Sequence, residues 1–247
     1  MTRDIDLSVQ LYSLRNDLGP KLGESLARLA ALGLSRVEPY DITTDPAGLR
    51  RALDQNGLSA PTAHSNFLGL DRERLVAAAQ QVGVSTLLLP WVDPATFEDR
   101  TAVEKLAARV NDFARFAASH GLKVGYHNHE FEFSSILDGR PAWEIMVEAF
   151  DDDVVVELDT YWASVGGADV FELIPRFADR VRYIHVNNEP PEADDPPTLG
   201  VPIVGRLAEV IEVARPYIDL AVLEIVVDSD VFPYLESNVD YFAGVVA

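Results

Sequence analysis

One short phrase occurs four times in the chain: the end of an apolar-periodic helix, a glycine, a brief step, and a β-rich run. It reads Ala31-Leu-Gly33-Leu-Ser-Arg-Val37, Gln55-Asn-Gly57-Leu-Ser-Ala60, Gln81-Val-Gly83-Val-Ser-Thr-Leu87 and Ser119-His-Gly121-Leu-Lys-Val124. Glycine just beyond a helix suits the left-handed position that ends it, because it has no Cβ to clash. The runs that follow read as short buried strands. They are expected near 6–12, 35–39, 59–64, 85–90, 123–129, 153–158, 181–186 and 220–226. Helical patterns such as Lys21–Leu32, Arg72–Val82, Val103–His120, Val170–Ala178, Leu207–Ala214 and Pro233–Val246 lie between and after them. Strands alternating with helices predict a parallel sheet. Eight such units in 247 residues predict a (β/α)8 TIM barrel, one domain over residues 1–247. An open doubly wound sheet is the alternative, and the lack of a Gly-x-Gly-x-x-Gly after the first strand weighs against it.

Composition removes several function classes. There is no cysteine, so disulfides, thiolate metal sites and thiol nucleophiles are excluded, and any metal must use oxygen and imidazole ligands. The formal net charge of −20 repels phosphates and argues against a nucleic-acid partner. No apolar run reaches the ~18–20 residues of a membrane span. The start, Met1-Thr-Arg-Asp-Ile-Asp6, lacks the layout of a signal peptide, and a cytoplasmic location is the expectation.

In such a barrel the functional groups stand at the C-terminal ends of the strands and in the loops after them. Gln10, Tyr12 and Arg15 follow strand one, Glu38 and Tyr40 strand two, His64 and Asn66 strand three, and Pro90 and Trp91 strand four. Strand five runs into Tyr126-His-Asn-His-Glu-Phe-Glu-Phe133. Strand six ends at Glu157 and Asp159, strand seven at His185, Asn187 and Asn188, and strand eight at Glu224. Carboxylates gathered at a barrel mouth repel one another unless a cation lies between them. A hard divalent ion resolves this, with Asp159, His185, Glu224 and one group from strand five as a ligand set. His127 and His129 share a strand face. Glu157 is expected on the opposite face of its strand, paired with a helix. His120 precedes Gly121 at a helix end and reads as structural. The loop Asn187–Leu199 is expected over the C-terminal face.

Plainer roles compete at each position. Asp159 before Thr160 suits a helix cap, His185 a hydrogen-bonded core histidine, and Glu224 a buried salt bridge. Trp91 and Trp162 suit either a sugar face or a barrel cap.

The phrases Gln10-Leu-Tyr-Ser-Leu-Arg15, Arg36-Val-Glu-Pro-Tyr40, Ala63-His-Ser65, Tyr126–Phe133, Leu158-Asp-Thr-Tyr-Trp162, Tyr183-Ile-His185 and Val222-Leu-Glu224 occur in order over nearly the whole chain. Together they resemble the xylose isomerase-like TIM-barrel superfamily, in its sugar phosphate isomerase/epimerase branch. The resemblance implies one divalent ion, Mn2+, Mg2+, Co2+ or Zn2+, on Glu132, Asp159, His185 and Glu224, with His129 the alternative to Glu132. It implies a small carbohydrate substrate and allows a homo-oligomer. Two departures fall on the substrate side. Asn187 and Asn188 stand where relatives carry a basic residue and an aspartate, and Gly200-Val-Pro-Ile-Val-Gly-Arg206 replaces a Gly-Glu-Gly-like turn. No phosphate-binding glycine loop is evident.

The implied activity is isomerisation or epimerisation of a keto-sugar or related polyol. An α-proton leaves next to a metal-polarised carbonyl, giving an enediolate. Glu132 and Glu224 would exchange the proton. Tyr12, Glu38, His64, His129, Trp91, Trp162 and Asn188 would hold the substrate. A lyase or dehydratase acting on a keto-inositol or a 3-keto-glycoside uses the same chemistry and is the alternative. A non-catalytic sugar-binding barrel is the reading from another class.

Overall fold

A computed structural model describes residues 5–16, 21–186 and 206–246. All eight expected strands are present: β1 Asp6–Gln10, β2 Arg36–Glu38, β3 Thr62–His64, β4 Thr86–Leu89, β5 Lys123–His127, β6 Val155–Asp159, β7 Val181–Val186 and β8 Leu220–Leu223. They form one sheet in the order β2-β1-β8-β7-β6-β5-β4-β3, and every pairing is parallel. The two end strands meet. Arg36 bridges Ser59 in parallel, Val37 N–H donates to the Ser59 carbonyl at 2.9 Å, and His64 N–H donates to the Pro39 carbonyl at 2.8 Å. These contacts bring the ring nearly to closure.

Helices α1 Leu22–Ala31, α2 Pro46–Gln55, α3 Arg72–Val82, α4 Arg100–Ala118, α5 Phe131–Ser134, α6 Ala142–Glu148, α7 Thr160–Val165, α8 Val170–Arg176, α9 Leu207–Ala214 and α10 Phe232–Val246 connect and follow the strands. Their starts are chemically marked. Asp45, Asp71 and Asp99 accept from the backbone N–H of Gly48, Arg74 and Ala102 at 2.8 Å each, filling donors that a helix start leaves open. The glycines of the repeated phrase take the left-handed backbone, with φ of 85°, 65°, 91° and 78° at Gly33, Gly57, Gly83 and Gly121. A small hairpin pairs Ile136–Leu137 with Arg140–Pro141 between β5 and β6. Asp138 and Gly139 form its turn with φ of 53° and 77°, the Asp-Gly chemistry such turns favour. No helix among the described residues is long and apolar enough to cross a membrane.

Strand alternation sorts the side chains into two cores. The larger lies between strands and helices and includes Val37, Leu87, Leu89, Val124, Tyr126, Val156, Leu158, Ile184, Ala221 and Leu223. The smaller lies inside the barrel, where Leu88, Tyr183, Leu220 and Val222 pack with Val155. Residues two further along the same faces are His127, Glu157, His185 and Glu224. The barrel is therefore plugged with apolar side chains low down and lined with ionisable ones above. Gly125 sits in β5 where the barrel is tightest. A Cβ there would meet Leu88 Cδ2 at 2.7 Å and the Val155 carbonyl oxygen at 2.8 Å.

Gly125→Ala is accordingly expected to lower unfolding stability by about 1–3 kcal/mol, the usual cost of overpacking. Urea unfolding checks this. A midpoint equal to that of the parent protein would mean the barrel wall yields freely at β5.

Candidate active site

The ends of β2, β3, β5, β6 and β7 deliver Glu38, His64, His127, Glu157 and His185 to one point, all buried. Glu157 Oε2 lies 2.8 Å from His64 Nε2, 3.1 Å from His127 Nδ1 and 3.1 Å from His185 Nε2. Glu38 Oε1 lies 3.1 Å from His64 Nε2 and 3.1 Å from His185 Nε2, and it accepts from Gln10 Nε2 at 2.8 Å. The expectation that Glu157 faces a helix is overturned. Glu157 and Asp159 are two residues apart on one strand, so the period of two puts both on the interior face.

Above this layer His185 Nδ1 lies 3.3 Å from Glu224 Oε2 and 3.8 Å from Asp159 Oδ2. It is buried and makes no aligned hydrogen bond. Asp159 divides its carboxylate: Oδ1 accepts from Trp162 N–H at 2.8 Å as the cap of α7, and Oδ2 faces His185. The cap and the site are thus compatible roles of one residue. A side-chain oxygen of Asn128 accepts from Asp159 N–H at 3.0 Å and pins that strand end. Donor atoms of His127, Asp159, His185 and Glu224 lie within 4.8 Å of one another, as do those of His64, His127, Glu157 and His185.

The upper group opens into a cavity of about 330 Å³ lined by Tyr12, Tyr40, His64, Pro90, Trp91, His127, His129 and Glu224. Trp91 is half exposed, and Tyr12 meets Tyr40 edge to face with centroids 5.3 Å apart. Among the described residues no lysine or arginine lines it. The Arg15 guanidinium lies over the Tyr12 ring, 5.0 Å from its centroid, and donates to the carbonyls of Tyr12 and Val227. Trp162 lies outside the lining, its ring 6.2 Å from that of His129.

The structure brings Asp159, His185 and Glu224 together and adds His127 to them. It does not bring Glu132 into that group. Glu132 is buried beside the barrel wall, where Oε1 accepts from Tyr126 O–H at 2.7 Å and Oε2 from His129 N–H at 2.9 Å. Glu38 lies beneath the cavity, whereas His64, His129, Tyr12 and Trp91 line it. Asn187, Asn188, the loop to Leu199 and the 200–205 turn fall outside the described residues. Glu157, expected to face a helix, and His127, expected on one strand face with His129, complete the two groups. The signal that would have placed Glu157 correctly is its two-residue spacing to Asp159.

Burial and pairing spread the acidities widely. Burial opposes charge on Glu224, but contact with His185 and the nearby His127 and His64 hold its carboxyl down at about 2. Burial lifts Asp159 to about 7 against the pull of His185. Burial resists a charge on His185, yet Glu157, Glu224 and Glu38 keep its pKa well above the ordinary value. His127 falls to about 3 through burial and the neighbouring His185. Glu157 is held low, overcoming burial, by His185, His127 and His64.

A model of the xylose isomerase-like TIM barrel matches residues 26–226. The chain belongs to this family. Its relatives include sugar-modifying enzymes. An inosose dehydratase of Geobacillus kaustophilus is 26% identical over 208 residues, 70% of this chain and 66% of that protein. This chain thus spans just under two thirds of that relative's length. A sugar phosphate isomerase/epimerase from Parabacteroides distasonis superposes with a TM-score of 0.83 at 21% identity, covering 100% of this chain and 96% of the other. A D-psicose 3-epimerase crystallised with D-fructose superposes at 0.70 with 14% identity, covering 98% and 99%. These superpositions establish a shared fold.

Burial also pushes Glu132 up to about 7, despite hydrogen bonds from Tyr126 and His129, from an ordinary 4.5. Between those values the folded protein holds a proton that the unfolded chain has lost, so stability falls as pH rises through the window. At ~1.4 kcal/mol per unit the loss attributable to Glu132 is roughly 3 kcal/mol. Urea unfolding of chelator-treated protein at pH 4.5 and pH 8 should show that Glu132→Gln loses correspondingly less stability than the parent. Equal losses in both proteins would show that Glu132 titrates normally.

Proposed function

We propose that this chain is a divalent-metal-dependent isomerase or epimerase of a small, uncharged keto-sugar or related polyol. The observation that carries it is the orphaned Nδ1 of His185, buried between Asp159 and Glu224 at the floor of the aromatic-rimmed cavity. A nitrogen lone pair and two carboxylates around one point are the donor set a divalent cation needs. Asp159, His185 and Glu224 would hold it, with a strand-five group completing the set. His127 is the nearest on geometry, while Glu132, which the resemblance selects, or His129 would have to turn toward the group. Such an ion supplies polarisation of a carbonyl and neutralises charge built up beside it.

The chain's own residues account for the rest. Trp91, Tyr12 and Tyr40 offer apolar faces and hydroxyls to a sugar ring. His64 and His129 offer ring nitrogens to its hydroxyls. Glu224 meets both the cavity and His185, and it is the carboxylate placed to take an α-proton. The second proton carrier of an epimerase is Glu132 if it turns inward. His129, whose buried Nδ1 lacks a partner, is the candidate already at the cavity. The lining lacks lysine and arginine among the described residues, and the 187–205 segment contains neither in sequence, which supports an uncharged substrate.

A dehydratase or lyase is the second reading. It is favoured by the withdrawal of Glu132 from the cavity, since elimination needs one base, and by the likeness to an inosose dehydratase. Product mass separates the two: loss of water or an aglycone means a lyase, unchanged mass with deuterium uptake from solvent means an isomerase. A panel of ketoses, keto-inositols and their phosphorylated counterparts tests both. Ligand binding without turnover by metal-loaded protein would instead leave a sugar-binding barrel.

Asp159→Asn and His185→Ala are expected to lose bound metal while keeping the far-ultraviolet circular dichroism of the parent. Metal analysis after gel filtration checks this, and full occupancy in either variant removes that residue from the ligand set. Chelation should lower the melting temperature of the parent, since a ligand in hundredfold excess over its Kd stabilises by about 2.7 kcal/mol.

Glu224→Gln should reduce turnover by more than the ~10²–10⁴ usual for one acid–base group, because it removes charge and basicity together. Glu132→Gln tests the same role for the strand-five glutamate. A variant within tenfold of the parent has no part in proton transfer.

A further inference from the structure

Below the cavity two carboxylates are buried among three imidazoles, and neither carboxylate reaches the cavity wall. Each ring spends one nitrogen on them: Nε2 of His64, Nδ1 of His127 and Nε2 of His185. A carboxylate oxygen only accepts, so those nitrogens carry the protons. In the neutral rings the lone pairs then sit on the opposite nitrogens. For His185 that nitrogen is Nδ1, the atom turned toward Asp159 and Glu224. Glu38 adds a second acceptor for His185 and is itself held by Gln10. Both carboxylates keep one buried oxygen without a partner among the described residues, Glu38 Oε2 and Glu157 Oε1. Burying such groups is costly, and packing alone gives no reason to keep them.

We propose that Glu157, supported by Glu38, is a positioning residue that fixes His185 in the Nε2-protonated tautomer and so aims its Nδ1 lone pair at the cation set. The role rests on the reading of Asp159, His185 and Glu224 as that set. Groups that orient a ligating imidazole through its second nitrogen typically govern metal affinity by 10–100-fold. Because Glu157 also accepts from His127 Nδ1–H, one carboxylate orients two rings of the same site. Glu38 accordingly acts through His185 and does not meet the substrate.

The test uses full-length protein with 15N-labelled histidine, loaded with Zn2+. Long-range proton–nitrogen spectra are expected to show His185 protonated at Nε2 alone and His127 at Nδ1 alone. Competition against a chromophoric chelator is expected to give Glu157→Gln a Zn2+ affinity 10–100-fold below the parent, and Glu38→Gln a smaller loss. A His185 proton on Nδ1, or Zn2+ affinities within twofold of the parent for both variants, overturns the proposal and leaves the ligand set standing. A parent protein that binds no Zn2+ overturns the ligand set, and the positioning role with it. Should Glu157→Gln fail to fold, the parent spectrum and Glu38→Gln decide the matter by the same criteria.

Discussion

The contact between one oxygen of Glu157 and three imidazole rings organises the upper half of this barrel. Charges buried this deeply persist only when paired and hydrogen-bonded. Each ring that meets Glu157 comes from a different strand, so the pairing also sets how β3, β5, β6 and β7 converge. Against burial, His185, His127 and His64 together hold Glu157 well below the ordinary carboxylate range.

The apolar plug beneath makes the arrangement possible. Leu88, Tyr183, Leu220, Val222 and Val155 close the lower barrel. With that end filled, His64 and His127 of the polar layer face the cavity above. The low effective dielectric there strengthens every interaction among the charged groups. The same environment separates the acidities of two neighbouring carboxylates: Glu224 falls to about 2 and Asp159 rises to about 7.

The family establishes the fold, and its relatives include sugar-modifying enzymes. The aromatic rim of Tyr12, Tyr40 and Trp91 lines the cavity and underlies the proposal of a sugar substrate. Glu132 accepts from Tyr126 O–H and His129 N–H and lies outside the group that gathers Asp159, His185 and Glu224. Within the proposed function, that placement bears on whether a proton moves between two faces of a substrate or a group is expelled from one.

The sequence by itself determined the barrel. Helix periodicity, four glycines past helix ends and eight apolar runs are local signals, and local backbone preference reads them directly. It also determined that Asp159, His185 and Glu224 stand at the C-terminal ends of strands, because polar residues closing apolar runs are visible in one dimension. The tertiary structure decided the partners. Strand ends far apart in the chain converge only when the sheet closes, so the pairing of Glu157 with His64, 93 residues away, has no local signature. Alternation could have placed Glu157 beside Asp159. It could not show that Glu38 lies under the cavity or that Glu132 is held by Tyr126. Those depend on where β5 bends after His127 and on which side chains the curved wall brings within hydrogen-bonding distance, and only packing settles that.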